Sequence, residues 1–218
     1  MPNKNIRKLG GVPLIGHSVI AAGNAKLVDR IIVTTDSQEI ADIAVQYGAE
    51  APFLRPPEIS GDASTELEYH LHAVKWLKDH EGYDAQIIVN LYPTSPLRKP
   101  ETIERGVQLM LDNPSADSLR SVKLCSEHPY KMWITDGDKL KPFVDNVAME
   151  THTFSYHLLP KAYIQNTSVY ITRRNTLENF GNTIGEEIVG LIMDEIESID
   201  INSELDFALA EKYLTSGS

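Results

Sequence analysis

The chain has 218 residues, a net charge of −11, 42% hydrophobic residues and a single cysteine, Cys125. This charge argues against a nucleic-acid binder, which clusters Lys and Arg, and one cysteine excludes both an internal disulfide and a cysteine-based zinc site. No apolar run approaches the roughly 20 residues that span a bilayer. We therefore expect one soluble, cytoplasmic domain over residues 1–218 that binds neither nucleic acid nor membrane.

Short β-rich runs alternate with amphipathic segments along the first half of the chain. This order predicts βαβ units and an α/β fold with a mostly parallel sheet flanked by helices. The first unit has a strand over residues 30–35 and a helix that Ser37 caps. The second has a helix through Leu67 and Val74, a strand over residues 86–91 and a helix over residues 103–111.

The loop after the second strand, residues 92–98, lies where α/β sheets bind ligands, at the carboxyl end of a strand. Thr94 and Ser95 offer hydroxyl groups, Arg98 offers a cation, and two prolines stiffen the backbone. Either the loop holds a polar ligand or it is an ordinary proline-rich turn.

The second half of the chain is less regular. Strands are expected over residues 116–122 and 169–172, and residues 125–165 form an excursion that either covers a site or contacts a second subunit. The last helix is expected to begin after the N-cap Ser203, with Asp206 completing the cap. Leu205 and Leu209 are expected to face inward.

Asp200 and Asn202 stand two residues apart, just before this helix. In an extended segment both side chains point to the same side and offer oxygen ligands to a hard cation such as Mg²⁺. The other interpretation is that both merely cap the helix.

Single cations and histidines give weaker signals. Arg55 follows an apolar run and is suited to a phosphate, ribose or base, but it and Lys4 are equally well explained as exposed structural residues. The seven histidines form no HExxH pattern and no serine lies in a nucleophile elbow, which disfavours zinc enzymes and hydrolases.

Several motifs taken together resemble the acylneuraminate cytidylyltransferase family, and they occur in that family's order over nearly the whole chain. The most specific is the Pro-Thr-Ser-Pro-Leu-Arg run at residues 93–98. The other segments are residues 4–7, 11–15, 32–36, 47–50, 53–56 and 198–202.

The resemblance implies a Rossmann-like nucleotidyltransferase fold that transfers CMP from CTP to a nine-carbon sugar acid, with Mg²⁺ and a homodimer. By position, Asp200 matches a catalytic, metal-binding aspartate, with Asn202 beside it in the metal pair. Arg55 matches a catalytic arginine near the nucleotide. The remaining matches are Lys4 and Asn5 at the nucleotide, and Tyr92, Thr94, Ser95, Gln165, Asn166 and Tyr170 at the sugar.

Three departures from the family pattern have consequences. The family begins with a strand and a loop of the form P-A-R-x-x-S-K-G before the pair that matches Lys4 and Asn5, and this chain begins at Met1. Tyr92 stands where sialic-acid enzymes carry Gln, and residues 164–166 stand where they carry Arg-Pro-Asn, which favours a legionaminic or pseudaminic type of acid. Asn202 replaces a second aspartate.

Two alternatives to this function remain open at the level of sequence. One is a catalytically impaired remnant that lacks the first nucleotide-binding loop. The other is a nucleotidyltransferase that acts on another small sugar substrate.

Overall fold

A computed structural model describes residues 3–216, and within them the chain forms six α-helices and eight strands, besides short 3-10 turns. The helices are α1 Leu14–Gly23, α2 Gln38–Gln46, α3 Glu66–Glu81, α4 Pro100–Asp112, α5 Arg174–Phe180 and α6 Glu204–Ser216. The strands are β1 Lys8–Leu9, β2 Val12–Pro13, β3 Ile87–Asn90, β4 Ser118–Leu124, β5 Trp133–Asp136, β6 Lys139–Pro142, β7 Tyr163–Arg173 and β8 Ile188–Ile192.

The central sheet has four strands in the order β3-β7-β4-β8. The long strand β7 pairs antiparallel with both β3 and β4, and only β4 and β8 are parallel. The α/β class is confirmed, but the expectation of a mostly parallel sheet is wrong, because the sheet is mixed. The reason is that β7 returns from the excursion and enters between β3 and β4 in the opposite direction.

The expected strand over residues 30–35 is extended but does not join this sheet. It forms one parallel bridge, between Ile32 and Glu50, through bonds from the Val33 N–H to the Glu50 carbonyl and from the Glu50 N–H to the Ile31 carbonyl. Within residues 3–216, its other edge has no paired strand.

Helix starts follow the capping residues read from the sequence. The Ser37 hydroxyl accepts from the Ile40 N–H at the start of α2, and Ser203 and Asp206 cap each other reciprocally before α6. The inward face of α6 was predicted wrongly, because Leu205 is 78% exposed. Phe207 and Ala210 are buried instead, because the helix places them, rather than the two leucines, against the core around Leu9 and Leu14.

The main core lies between α4 and one face of the sheet. Ile103, Val107 and Met110 of α4 pack with Leu119 of β4 and Ile171 of β7. Burial of these side chains, at about 25 cal/mol per Å² of apolar surface, is what holds the helix on the sheet. The helix thereby sets the position of the loop that precedes it, residues 92–98.

The segment over residues 125–162 leaves the sheet and contains the β5–β6 hairpin. Seven of the eight hairpin residues are exposed. Among the described helices, none combines the length and the apolarity that crossing a membrane requires.

His70 on α3 gives the fold a pH dependence. It is buried, and desolvation lowers its pKa to about 4, which the bond with Asn90 opposes and the nearby positive charge of Arg120 reinforces. Because an unfolded histidine titrates near 6.5, the unfolded chain takes up this proton first as the pH falls. The contribution of neutral His70 is therefore complete above pH 6.5 and is lost toward pH 4.

We expect His70→Gln to flatten the pH dependence of stability between pH 7 and 4 by about 2–3 kcal/mol relative to the unsubstituted chain. Urea unfolding at several pH values measures this difference. The exposed His157→Gln is the matched control and should leave the profile unchanged. Parallel profiles for His70→Gln and the unsubstituted chain would contradict the assignment.

Candidate active site

A bulge in β7 organises the site. The register between β4 and β7 shifts after Arg120, so that Ser121 faces the stretch over residues 166–169. Within it Thr167 has φ of +54°, in the left-handed region that non-glycine residues rarely adopt. The Ser121 hydroxyl supports the bulge by donating to the Asn166 Oδ1 at 2.5 Å and accepting from the Val169 N–H at 2.8 Å.

This bulge brings Gln165 and Tyr170 together. The two residues are five apart, so in a regular strand their side chains would point to opposite faces. Here the Tyr170 hydroxyl donates to the Gln165 Oε1 at 3.0 Å, and the Tyr170 ring packs edge-on against Tyr92 with centroids 6.1 Å apart. Three of the predicted sugar-side residues therefore form one cluster.

Asn166, also predicted at the sugar, is buried and fully engaged with the protein. Its Nδ2 donates to the Ser198 hydroxyl at 2.7 Å and its Oδ1 accepts from Ser121. The side chain joins β7 to the segment that leads to Asp200, which is a positioning role in this structure.

Arg120 lies beneath the cluster. Its guanidinium carbon is 4.7 Å from the Tyr170 ring centroid, and Nη1 and Nη2 donate to the carbonyls of Leu119 and Thr183. Burial lowers its pKa and raises that of Tyr170. The sequence reasoning did not single out Arg120, although a charged residue inside a predicted buried strand is a signal, since burial of a charge is costly without a purpose.

The loop over residues 92–98 is held by a second buried cation. The Arg98 guanidinium donates to the carbonyls of Ser95, at 3.1 Å, and Tyr92. Burial lowers the pKa of Arg98 to about 9, which the negative charge of Asp200 opposes, so the side chain stays charged at neutral pH. Ser95 is itself fully buried and donates to the Thr167 carbonyl, which ties the loop to the bulge.

Asp200 lies beside this loop. The Ile201 N–H donates to the Thr94 carbonyl at 2.8 Å, and the Lys4 Nζ donates to the Ile201 carbonyl at 3.2 Å. The Asn202 Nδ2 donates to the Asp200 Oδ2 at 2.6 Å. The Asp200 Oδ1 is buried and has no hydrogen-bond partner among the described residues.

Arg55 and Asn5 lie on a separate part of the cleft. Both line a groove of about 770 Å³ that also reaches Tyr92, whereas Gln165, Asn166 and Asp200 line a hollow of about 330 Å³. Arg55 is 3.9 Å from the Asp36 carboxylate, and its buried Nε has no partner within residues 3–216. Tyr92 belongs to the groove and also contacts Tyr170, so the loop over residues 92–98 separates the two hollows.

The side-chain oxygens of Asp200 and Asn202 decide whether Mg²⁺ fits beside this loop. Mg²⁺ is commonly held by one or two carboxylates together with substrate phosphates. The free Oδ1 of Asp200 suits such a site, whereas the Asn202 side chain presents its nitrogen to Asp200 and its oxygen to the Lys4 Nζ at 3.3 Å. No cluster of three or more His, Cys, Asp or Glu side chains that could hold a metal occurs among the described residues, and the carboxylate beside the loop over residues 92–98 with an oxygen left free is that of Asp200.

The hydrogen bonds from Arg98 to the carbonyls of Ser95 and Tyr92 should contribute to the stability of the fold. We expect Arg98→Met to lower the free energy of unfolding by about 2–4 kcal/mol, because both buried acceptors lose their charged donor. Urea denaturation measures this loss. Arg105→Met is the control, because Arg105 is exposed and donates to one carbonyl, that of Ile192. Equal effects of the two substitutions would contradict the role of Arg98.

Comparison with known proteins agrees with this architecture. Residues 1–205 match the family model described as cytidylyltransferase. The chain is 34% identical over 216 residues to the CMP-N,N'-diacetyllegionaminic acid synthase of Legionella pneumophila, covering 98% of this chain and 90% of the relative. It is 32% identical to the post-translational flagellin modification protein B of Campylobacter coli, covering 96% and 87%.

The fold is similar to that of solved nucleotidyltransferases. A structure of CMP:2-keto-3-deoxy-manno-octonic acid synthetase complexed with CTP superimposes with a TM-score of 0.69 at 14% identity, covering all of this chain and 94% of that one. The family model spans most of the chain and the two relatives align over almost all of it. The chain therefore belongs to the cytidylyltransferase family.

Proposed function

We propose that this protein transfers CMP from CTP to a nonulosonic, sialic-like sugar acid. The anomeric hydroxyl oxygen of the sugar attacks the α-phosphorus of CTP and forms the new phosphorus–oxygen bond. The bond from the α-phosphorus to the oxygen bridging to the β-phosphate breaks, and pyrophosphate leaves with that electron pair. The hydroxyl proton passes to solvent.

Different residues of the cleft would bind the triphosphate, the sugar acid and Mg²⁺. Arg55 and Lys4 supply positive charge for the triphosphate, and Asn5 lies beside Arg55 in the groove. Tyr92, Gln165 and Tyr170 offer hydroxyl and amide groups to the sugar acid. Asp200 would hold Mg²⁺, which when bound offsets the negative charge that develops on the phosphates.

The observation on which the proposal depends most is the free oxygen of Asp200. A buried carboxylate oxygen without a donor costs free energy unless a ligand satisfies it. It lies next to Lys4 and the loop over residues 92–98, in a chain that belongs to the cytidylyltransferase family. A divalent cation held by Asp200 would satisfy this oxygen and would supply positive charge for the phosphates of CTP.

The sugar is proposed to be of the legionaminic or pseudaminic type. The 34% identical relative is named for N,N'-diacetyllegionaminic acid. Ile164 and Gln165 also stand where sialic-acid enzymes carry arginine and proline, and Tyr92 stands where they carry glutamine, which changes the hydrogen-bonding groups around the sugar. The match over nearly the whole chain does not favour the alternative of an impaired remnant.

A pyrophosphate-release assay tests the function. The chain is incubated with Mg²⁺, each of the four nucleoside triphosphates, and sialic, legionaminic, pseudaminic and 3-deoxy-octulosonic acids in turn. We expect release only when CTP and a nine-carbon acid are both present. Release with the octulosonic acid alone would support the alternative of another small sugar, and no release with any pair would contradict the proposed function.

Substitution of Asp200, the proposed ligand of Mg²⁺, tests the role of a single residue. Asp200→Asn should lower kcat/KM by about 100-fold or more, because charge stabilisation in the transition state is lost while the shape is kept. Glu195→Gln, an exposed carboxylate in the same segment, should keep full activity. A turnover above half the original rate for Asp200→Asn would exclude Asp200 from the reaction.

We also propose that two copies of the chain pair through the excursion. A two-stranded hairpin is at best marginally stable alone in water. In β5–β6 and the following turn, Ile134, Leu140 and Phe143 are 50%, 57% and 56% exposed. A second copy would cover these apolar side chains.

Light scattering coupled to size exclusion measures the mass that this pairing predicts. We expect twice the mass of the chain, and mostly monomer for Phe143→Asp. The control Leu111→Asp changes a leucine on α4 that is 50% exposed, and this variant should remain dimeric. A monomeric mass for the unsubstituted chain would contradict the pairing.

A further inference from the structure

The hollow of about 330 Å³ beside Asp200 is lined by one cation among the described residues, Lys123 near the end of β4. Lys123 is half-buried, and its ammonium makes no hydrogen bond and no ion pair within residues 3–216. A charged side chain that leaves bulk solvent is usually paired. The free charge of Lys123 is therefore available to a ligand in this hollow.

Two carboxylates line the same hollow, and neither of them pairs with Lys123. The Asp206 Oδ2 accepts from the N–H groups of Asn202 and Ser203, so that the cap of α6 already occupies it. The Asp200 Oδ1 has no partner among the described residues. A free cation and a free carboxylate oxygen thus line one hollow without contacting each other. Its volume lies at the lower end of those that hold small-molecule ligands.

The register between β4 and β7 sets the position of Lys123. Beyond the bulge the strands pair again, with Lys123 directly opposite Ile164. Side chains that lie opposite each other in an antiparallel pair project from the same face of the sheet, with Cβ atoms about 5 Å apart. Both residues line the hollow. The bulge that organises the site therefore also places the lysine at the hollow.

The chemistry of a sugar acid creates a need for positive charge at this place. In a 2-keto sugar acid, the ring carbon that carries the attacking hydroxyl also carries the carboxylate. When that hydroxyl meets the α-phosphorus of CTP, the carboxylate comes close to the negative phosphates, and the repulsion must be offset. Tyr92, Gln165 and Tyr170, the groups placed at the sugar so far, are neutral.

The other cations near Asp200 are already engaged. Arg98 and Arg120 are each 4% exposed and donate to backbone carbonyls. Lys4 donates to the Ile201 carbonyl at 3.2 Å. None of these three residues lines the hollow, whereas Lys123 does.

We propose that Lys123 binds the carboxylate of the sugar acid and thereby selects acids over neutral sugars. Its ammonium donates to the carboxylate oxygens. Gln165 lines the same hollow and accepts from the Tyr170 hydroxyl, so the hollow adjoins the cluster that would hold the rest of the sugar. Lys123 is thus a specificity-determining residue. This role rests on the proposed function, because it concerns the acid group of the proposed substrate.

Calorimetry with N,N'-diacetyllegionaminic acid and its C1 carboxamide, in which a neutral amide replaces the carboxylate, tests this role. We expect the unsubstituted chain to bind the acid about 10- to 100-fold more tightly than the carboxamide, the range that one hydrogen bond between charged groups contributes. Lys123→Met keeps the length of the side chain and should bind the two compounds about equally. The control Lys26→Met changes an exposed lysine outside both hollows and should keep the preference. An unchanged preference in Lys123→Met would overturn the proposal.

An exchange of the two opposite side chains separates recognition of the acid from a merely structural role. Lys123→Ile alone should lose the preference for the acid. The double variant Lys123→Ile with Ile164→Lys returns a cation to the same pair of β4 and β7, and it should recover most of that preference. A double variant that binds both compounds as weakly as Lys123→Ile would count against recognition through this hollow.

Pyrophosphate-release kinetics distinguish a failure of this role from a failure of the proposed function. Lys123→Met should raise the KM for the sugar acid about 10- to 100-fold and leave kcat and the KM for CTP nearly unchanged, because the carboxylate is bound alike in the ground state and the transition state. A raised KM for CTP alone would assign Lys123 to the triphosphate and overturn this role only. Acid binding that depends on Lys123, without pyrophosphate release from any pair of substrates, would support this role and contradict the transfer reaction.

Discussion

The bulge in β7 is the constraint on which the candidate site depends. It turns Gln165 to the same side as Tyr170, places the Thr167 carbonyl within reach of Ser95, and buries Asn166 between Ser121 and Ser198. A regular strand would break all three connections, because each depends on the extra residues opposite Ser121. The left-handed backbone at Thr167 costs of order 1–3 kcal/mol, which the surrounding hydrogen bonds offset.

Besides the bulge in β7, two buried arginines contribute positive charge to the site of this acidic protein. Arg98 and Arg120 are each 4% exposed, and both are held mainly by carbonyl oxygens rather than by carboxylates. Their charges are therefore only partly neutralised, and the low dielectric around them strengthens their field in the cleft. A chain with a net charge of −11 can in this way offer an anionic nucleotide a locally positive site.

Local signals predicted the helices well, and the sequence resemblance identified the family. Ser37 and Ser203 cap helices as expected, and the strand over residues 86–91 corresponds to β3. The mixed sheet could not be predicted, because the direction in which β7 enters depends on contacts distant in sequence. For the same reason the alternation of side chains along a regular strand could not predict the contact between Gln165 and Tyr170. Helix α6 buries Phe207 rather than Leu205, because packing against the core, and not the capping residue, decides which face of the helix turns inward.

The central claim is that the cleft around Asp200, Arg55 and the loop over residues 92–98 binds the nucleotide. Photo-crosslinking with a CTP analogue that bears an azido group on the base tests this claim most directly. Mass spectrometry of the digested chain locates the attachment. The account predicts cross-links within residues 4–7, 31–36, 53–56 or 92–98, lost when unmodified CTP is in excess. Attachment confined to residues 125–162, or labelling that excess CTP does not reduce, would contradict it.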